Sequence, residues 1–295
     1  MKKHAIGIDL GGTNIKGILI DETGNIIAQA HTPTNDGSGG AWKVAIAETV
    51  KTLKNQTEHL IGVGLSAPGL PNETNECIAS LPNRLDGLEY FHWGNYLNEK
   101  VYVLNDAHAA LMAEARFGAA KGLRNVVLLT LGTGVGGGIL INGELYQGLY
   151  QKAGHLGHLT VDATDWSQSI LGMPGSIEES IGNYSIEKRS QGAFKSTYEL
   201  LQAFQAGDYW ASYVWLTSVQ KLSVTIAGLI NAFSPDAVVL SGGVTQANEH
   251  LFDPLSSFMK YYEFRPKGYA GTPIMKAHYG DMAGALGVAS FAMAK

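Results

Sequence analysis

Apolar and polar positions follow one another along the chain in an order that predicts its elements. His4 to Leu10 is a short apolar run ending in Asp9-Leu10-Gly11-Gly12-Thr13, and a second apolar run, Ile15 to Ile20, follows at once. Two strands joined by a glycine turn are expected. Asp21-Glu22-Thr23-Gly24-Asn25 is a second turn, after which Ile26 to Ala30 returns as a third strand. The chain therefore opens as a β-meander. A polar, glycine-rich loop over 34–40 precedes Ala41 to Lys54, where Trp42, Ala45, Ile46, Thr49, Val50 and Leu53 recur at helical spacing. Leu60 to Leu65 then reads as a buried strand.

The order recurs further on. Asn125 to Thr130 is an apolar run ending in Leu131-Gly132-Thr133-Gly134-Val135-Gly136-Gly137-Gly138, with Ile139 to Ile141 as the returning strand and Asn142-Gly143 as a hairpin turn. A helix from about Tyr209 to Phe233 and a buried strand, Ala237 to Leu240, complete the second round. This pseudo-repeat predicts an α/β fold of two related lobes facing each other across a cleft. Between them Val101 to Leu104 reads as a strand and Ala107 to Phe117 as a helix. The hinge is therefore placed near Asn105. The division expected is a first lobe of residues 1–105, completed by the C-terminal helix within 281–295, and a second lobe of residues 106–280.

Composition narrows the classes. The 21 basic residues are outnumbered by 26 acidic ones, a formal charge of −5, so nothing favours binding to a phosphate backbone of nucleic acid. The single cysteine, Cys77, excludes an internal disulfide and fits a reducing cytoplasm. The opening apolar run is broken too soon by Asp9 to read as a secretory signal or membrane span. The 37 glycines are one residue in eight, against an average of about 7%. Their placement carries the chemistry.

Asp9-x-Gly11-Gly12-Thr13 puts a carboxylate at a strand end and two small residues in the turn. Such a turn lets backbone N–H groups approach a phosphate, with Thr13 adding a hydroxyl and Asp9 able to hold Mg²⁺ through water. The plainer reading is a tight β-turn. The second turn, with five glycines in the seven positions 132–138, shifts the balance, since so much glycine is costly to order as mere connection. Neither is a Walker A or Rossmann sequence, because a strand follows each turn where those motifs open a helix. Asn105-Asp106, at a strand end and a helix start, reads equally as a helix cap or as a general base placed to take a proton from an attacking hydroxyl.

These residues together resemble the ROK kinases, sugar kinases of the actin-like (ribonuclease H-like) ATPase superfamily, over nearly the whole chain. Asp9-Leu10-Gly11-Gly12-Thr13-Asn14-Ile15-Lys16 is similar to the family's first phosphate motif and Leu131 to Gly138 to its second. Ser66-Ala67-Pro68-Gly69 and Leu81-Pro82-Asn83 resemble sugar-side loops, Asn105-Asp106-Ala107 the catalytic segment, and Leu240-Ser241-Gly242-Gly243-Val244 and Gly280 to Gly287 the adenosine-side and C-terminal motifs. The resemblance implies Asp106 as general base, with Asn83, Asn105, Asp106, His155, His158 and Glu178 facing the sugar. It implies Asp9, Gly11, Gly12, Thr13, Lys16, Gly132, Thr133, Gly134, Gly242 and Gly243 around ATP and its phosphates. Mg²⁺ and a homodimer come with it.

Two departures matter. Gly154-His155-Leu156-Gly157-His158 carries histidine where most of these sugar kinases have a glutamate near C1 and C2 of the sugar, so hydroxyl recognition there must differ. Histidine at this place also occurs in some family members that act on N-acetylmannosamine. The family's zinc segment appears as Ser169-Ile170-Leu171-Gly172-Met173-Pro174-Gly175-Ser176-Ile177-Glu178, with its three cysteines gone. No zinc site is therefore expected. His155 and His158 read as sugar-facing, as satisfied by loop backbone, or as a two-histidine metal site.

The aromatic run Tyr209, Trp210, Tyr213 and Trp215 reads as core or subunit interface, Lys188-Arg189 and the lysines of 51–54 as solvated helix faces, and Cys77 as inert. The function expected is ATP-dependent phosphorylation of a hexose at C6, of glucose type or an N-acetylhexosamine. A sugar-responsive repressor would need a helix-turn-helix before Asp9, where eight residues stand. A catalytically silent sugar sensor would not need two phosphate turns.

Overall fold

The computed structural model describes residues 2–36, 39–81, 84–166 and 171–295. In chain order the elements are β1 (His4–Leu10), β2 (Asn14–Asp21), β3 (Ile26–Pro33), α1 (Ala41–Lys54), β4 (Leu60–Ala67), β5 (Leu70–Pro71), β6 (Ile78–Ser80), α2 (Trp93–Leu97), β7 (Val101–Asn105) and α3 (Asp106–Arg116). They continue with β8 (Val126–Leu131), β9 (Val135–Ile141), β10 (Glu144–Leu145), α4 (Ile177–Ile181), α5 (Ile186–Arg189), α6 (Thr197–Gln205), α7 (Tyr209–Phe233), β11 (Ala237–Ser241), α8 (Glu249–Tyr262), β12 (Ile274–Lys276) and α9 (Ala283–Met293). The fold is α/β. One unit comprises Met1–Gly122, Gly143–Gly154 and Ala277–Lys295, and a second comprises Leu123–Asn142 and His155–Lys276.

The sheet of the first unit runs β3-β2-β1-β4-β7, antiparallel across the opening meander and parallel from β1 through β4 to β7. The Asp21 carboxylate sets the β2–β3 turn by accepting from the N–H groups of Thr23 (2.9 Å) and Asn25 (3.0 Å) and from the Thr23 hydroxyl (2.6 Å). These bonds, the Thr23 side chain's first, hold its carboxyl down at about 2. Strand β1 is apolar along nearly its whole length because helices cover both faces. The stripe Trp42, Ile46, Val50 and Leu53 of α1 lies on one, and α9 lies on the other. The α9 backbone comes so close that a Cβ on Gly7 or Gly64 would strike the carbonyl of Ala285 or Val288. Glycine is what lets this helix seat directly on the sheet.

Helix α3 is tied to the segment before α9 by one buried carboxylate. Glu114 accepts from the N–H groups of His278 (2.9 Å) and Tyr279 (2.8 Å) through Oε1, and from Ala119 (2.8 Å) through Oε2. Three backbone donors thereby find a charged acceptor away from water.

In the second unit strands run in the order β9-β8-β11-β12, with β8 and β9 antiparallel and β8, β11 and β12 parallel. The sequence places the start of the returning strand at Ile139, but β9 begins at Val135. Gly136, Gly137 and Gly138 are ladder residues opposite Thr130, Leu129 and Leu128. Glycine has little preference for strands, and only the pairing with β8 reveals them as one. Helix α7 is, among the described residues, the one long and apolar enough to cross a membrane by length and composition. Its apolar surface is core: Val214, Trp215, Val219, Leu222, Ile226 and Ile230 are buried with Leu251 and Leu255 of α8.

Helix α8 has no counterpart among the sequence expectations and contains Pro254. Proline cannot donate to the carbonyl four residues back, that of His250. Trp215 Nε1 from α7 donates to this carbonyl instead, at 2.8 Å. The helix interior thus tolerates proline because a neighbouring helix satisfies the acceptor.

Candidate active site

In the first unit the turn after β1 is fastened by Thr34, a buried residue just beyond β3. Its N–H donates to Thr13 O (2.9 Å) and its hydroxyl to Gly11 O (2.6 Å), while Gly11 N–H donates to Asn14 O (3.1 Å). The carbonyls of Gly11 and Thr13 are both engaged by Thr34. Gly11, Gly12 and Thr13 thus form a short, fixed backbone segment beside Asp9. Lys16, on β2, pairs with Asp281 at 3.2 Å and also donates to its carbonyl at 3.1 Å.

Asp9 Oδ1 accepts from Ser66 Oγ at 2.7 Å. On the other side of the carboxylate stands Gly284 of α9, where a Cβ would lie 2.5 Å from Oδ1. Burial pushes the Asp9 carboxyl up to about 6, with Ser66 and Lys16 pulling down and the like charges of Asp106 and Asp281 pushing further up. A divalent cation with its water shell fits this donor set, because added positive charge relieves the carboxylate repulsion. Among the described residues no three His, Cys, Asp or Glu side chains converge to hold a metal ion directly.

Asn105 ends β7 and caps α3. Its Oδ1 accepts from Ala107 N–H at 2.9 Å and its Nδ2 donates to Gly69 O at 3.0 Å. The capping reading of Asn105 is thus realised, and the cap fixes the next residue, Asp106, at the first position of the helix. Asp106 Oδ1 accepts from Ala107 N–H at 2.8 Å. Its carboxyl is solvent-accessible, yet desolvation by the surrounding protein raises its pKa, while the Ala107 amide, the Arg84 guanidinium and Asn105 pull it down. Asn83, the expected sugar-side asparagine, lies outside the described residues.

In the second unit the turn Gly132-Thr133-Gly134 is anchored from the end of α4. Asn183 N–H donates to Gly132 O and Tyr184 N–H to Thr133 O, both at 3.0 Å. The same turn lines a cavity of about 500 Å³ whose other walls come from α6 (Thr197, Gln202, Gln205) and from Gly243 and Val244 after β11. A Cβ on Gly132 or Gly243 meets nothing within 4 Å, whereas Gly242 (φ +89°) is pressed against the Leu131 backbone. The fold thus gathers two motifs a hundred residues apart around one space. The sequence had not pointed to Thr197, Gln202 or Gln205, whose helical positions carry no motif.

Glu178, buried on α4, abuts the turn so closely that a Cβ on Gly134 would strike its Oε2, and Oε2 accepts weakly from Val135 N–H at 3.4 Å. His158 Nδ1 lies 3.8 Å from Glu178 Oε1, and the rings of His155 and His158 are parallel with centroids 6.5 Å apart. Two imidazoles and a carboxylate are the polar set here. The segment resembling a zinc loop is held without thiolates: Ser176 caps α4 by accepting from Glu179 N–H (3.3 Å), and Val161 N–H donates to Gly175 O (2.8 Å). Ser169 and Ile170 lie outside the described residues, and Leu171 is an exposed leucine. This donor set does not fit zinc.

The expected aromatic cluster on α7 divides. Trp215 is core, whereas Tyr209 is 92% and Tyr213 62% exposed, with Trp210 stacked on Tyr213 at 5.3 Å between ring centroids.

Comparison with known proteins agrees with these motifs. A model of the ROK family matches residues 5–295. Glucokinase of Halalkalibacterium halodurans is 32% identical over 96% of this chain and 92% of its own. The structure of a ROK hexokinase from Thermus thermophilus superposes with a TM-score of 0.88 at 30% identity, covering 99% of this chain and 98% of that one. A ROK family glucokinase from Streptomyces griseus, solved with glucose and AMPPNP, gives a TM-score of 0.79 at 25% identity over 99% of this chain and all of its own.

Proposed function

The chain belongs to the ROK family and has its actin-like α/β fold, and from that premise we propose that it is an ATP-dependent sugar kinase that phosphorylates a hexose at the C6 hydroxyl. The observation that carries this reading is the cavity of the second unit, where Gly132, Thr133, Gly243 and Val244 line a space of about 500 Å³, large enough for an adenine nucleoside. Two glycine motifs at one cavity are what a nucleotide requires and a sugar sensor does not. Glucose leads as acceptor because the H. halodurans relative is a glucokinase. N-acetylmannosamine and other N-acetylhexosamines follow, because His155 stands where a carboxylate would favour a free C2 hydroxyl.

In this reading Asp106 accepts the proton of the attacking hydroxyl, and its raised pKa makes it a better base than an ordinary carboxylate. Asn105 holds Asp106 in place through the cap, and with Asn83, His155, His158 and Glu178 it is assigned to the sugar. Gly11, Gly12, Thr13 and Lys16 are assigned to the phosphates with the turn at 132–134, and Gly242 and Gly243 to the nucleotide. Mg²⁺, when bound with ATP, supplies positive charge to the phosphate oxygens, and Asp9 would hold it through water. The buried free thiol of Cys77 and the need for ATP suit a cytoplasmic protein. The exposed Tyr209 and Tyr213 face of α7 is assigned to a homodimer contact.

The test is ADP release from MgATP across a panel of hexoses and N-acetylhexosamines. One sugar that raises turnover far above the sugar-free rate supports the reading and names the substrate. A panel in which none does so overturns it.

A further inference from the structure

Two cations stand at the first glycine turn, and they differ in what they face. Lys16 is neutralised by Asp281 at 3.2 Å. Arg84 is exposed, and among the described residues no carboxylate lies within ion-pair distance of it, although Asp36, Asp86 and Glu89 line the same cavity of about 500 Å³. Glu89 is engaged elsewhere, accepting from Leu81 N–H at 2.6 Å. The Arg84 guanidinium instead reaches over the turn, so that a Cβ on Gly12 would collide with its terminal nitrogen. It is also near enough to Asp106 to lower the pKa of that carboxyl.

A long cationic side chain laid over a glycine turn, with no ion pair among the described residues, has a specific chemical meaning. The planar guanidinium fork matches two oxygens of a phosphoryl group and keeps its charge at any physiological pH. Such a group is most useful where negative charge is redistributed during transfer, because it is in place before the reaction begins. The absence of a side chain at Gly12 leaves room for the guanidinium over the turn. Arginine in a polar loop ordinarily reads as a solvated charge, and the sequence gives no sign of this contact, which spans some seventy positions.

We infer that Arg84 is a catalytic residue of the proposed kinase, contacting the phosphoryl group during its transfer to the sugar hydroxyl. The inference rests on the kinase reading above. In the step, the hydroxyl oxygen forms a bond to the γ-phosphorus as the bond from that phosphorus to the β–γ bridging oxygen breaks. The proton goes to Asp106, ADP leaves with the electron pair, and Arg84 is unchanged. Its part is to neutralise the equatorial oxygens while both bonds are partial.

The experiment compares wild type with Arg84→Met, Arg84→Lys and Arg84→Ala, using MgATP and glucose, or the panel sugar that wild type turns over fastest. Arg84→Met is expected to lower kcat by about 10² to 10³, with the sugar KM within about threefold of wild type and an unchanged melting temperature. Arg84→Lys is expected to keep part of the rate, and added guanidinium ion to restore part of the turnover of Arg84→Ala. Turnover of Arg84→Met within about threefold of wild type overturns the inference. So does a loss of kcat that comes with a lower melting temperature and no rescue, which marks a scaffold role, or a rise in sugar KM alone, which marks a sugar contact. If wild type itself shows no sugar-dependent ADP release, the kinase reading fails first and the inference falls with it.

Discussion

Ser66 donates its hydroxyl hydrogen to Asp9 at 2.7 Å across the parallel pairing of β1 and β4, where the two residues are partners in register. The bond, with the charge of Lys16, favours the ionised form of a carboxyl held up to about 6 by burial and by the charges of Asp106 and Asp281. Asp9 is thus an acid kept under electrostatic tension, which positive charge would release.

That tension sets a pH dependence of stability. The folded-state pKa of Asp9 lies above its unfolded value, so between about 4 and 6 the folded chain binds more protons, and stability is lost as pH rises through that window. Asp9→Asn should therefore raise the unfolding free energy of the ligand-free protein at pH 8 by at most about 3 kcal/mol, and its melting temperature with it, the gain shrinking towards pH 4. Thermal melts of both proteins across that range check it. A variant that is less stable than wild type at pH 8 would contradict the assignment. MgATP should stabilise wild type more than Asp9→Asn.

Replacing Asp106 by asparagine keeps its size and the hydrogen bond from Ala107 but removes the base. Turnover is expected to fall about 10³-fold, while sugar binding, read by calorimetry, stays within a few-fold. Because desolvation by the surrounding protein raises this carboxyl, the rate of wild type should also fall on the acid side at a higher pH than an ordinary aspartate would give.

Gly243 offers a test of the nucleotide cavity that leaves the fold alone. A side chain there grows into open space, since a Cβ meets nothing within 4 Å. Gly243→Phe should raise the KM for ATP by more than about tenfold, or 1.4 kcal/mol, with melting temperature and sugar KM unchanged. Unaltered ATP kinetics would place the nucleotide elsewhere.

Glu114 touches no predicted site residue, yet its three backbone donors join α3 to the chain that leads into α9. Glu114→Gln cannot accept from all three through two oxygens, and should cost on the order of 2 kcal/mol in denaturant unfolding. Activity loss should track the loss of folded protein.

What the sequence made legible was local. The opening meander, α1, both glycine turns and the Asn105-Asp106 junction follow from periodicity and turn residues within a few positions of one another. What it hid depends on partners far away. Thr34 closes the Gly11 turn from across a sheet, and Arg84 reaches Gly12 from another loop. The glycines of β9 become strand only through β8. Pro254 can stand inside α8 because Trp215 takes the place of the missing donor, a substitution that no local rule anticipates. The cavity walls on α6 carry ordinary helical residues, and three-dimensional placement alone marks them out.

The seating of α9 against Gly7 and Gly64 has a consequence for synthesis. The sheet it covers is begun by residues 4–10, but its second face stays bare until residues 283–293 have followed. The second unit, made wholly of residues 123–142 and 155–276, can close before then. β1 and β4 therefore stay apolar and half covered while residues 123–276 are being made, a stretch of nascent chain open to aggregation until α9 arrives.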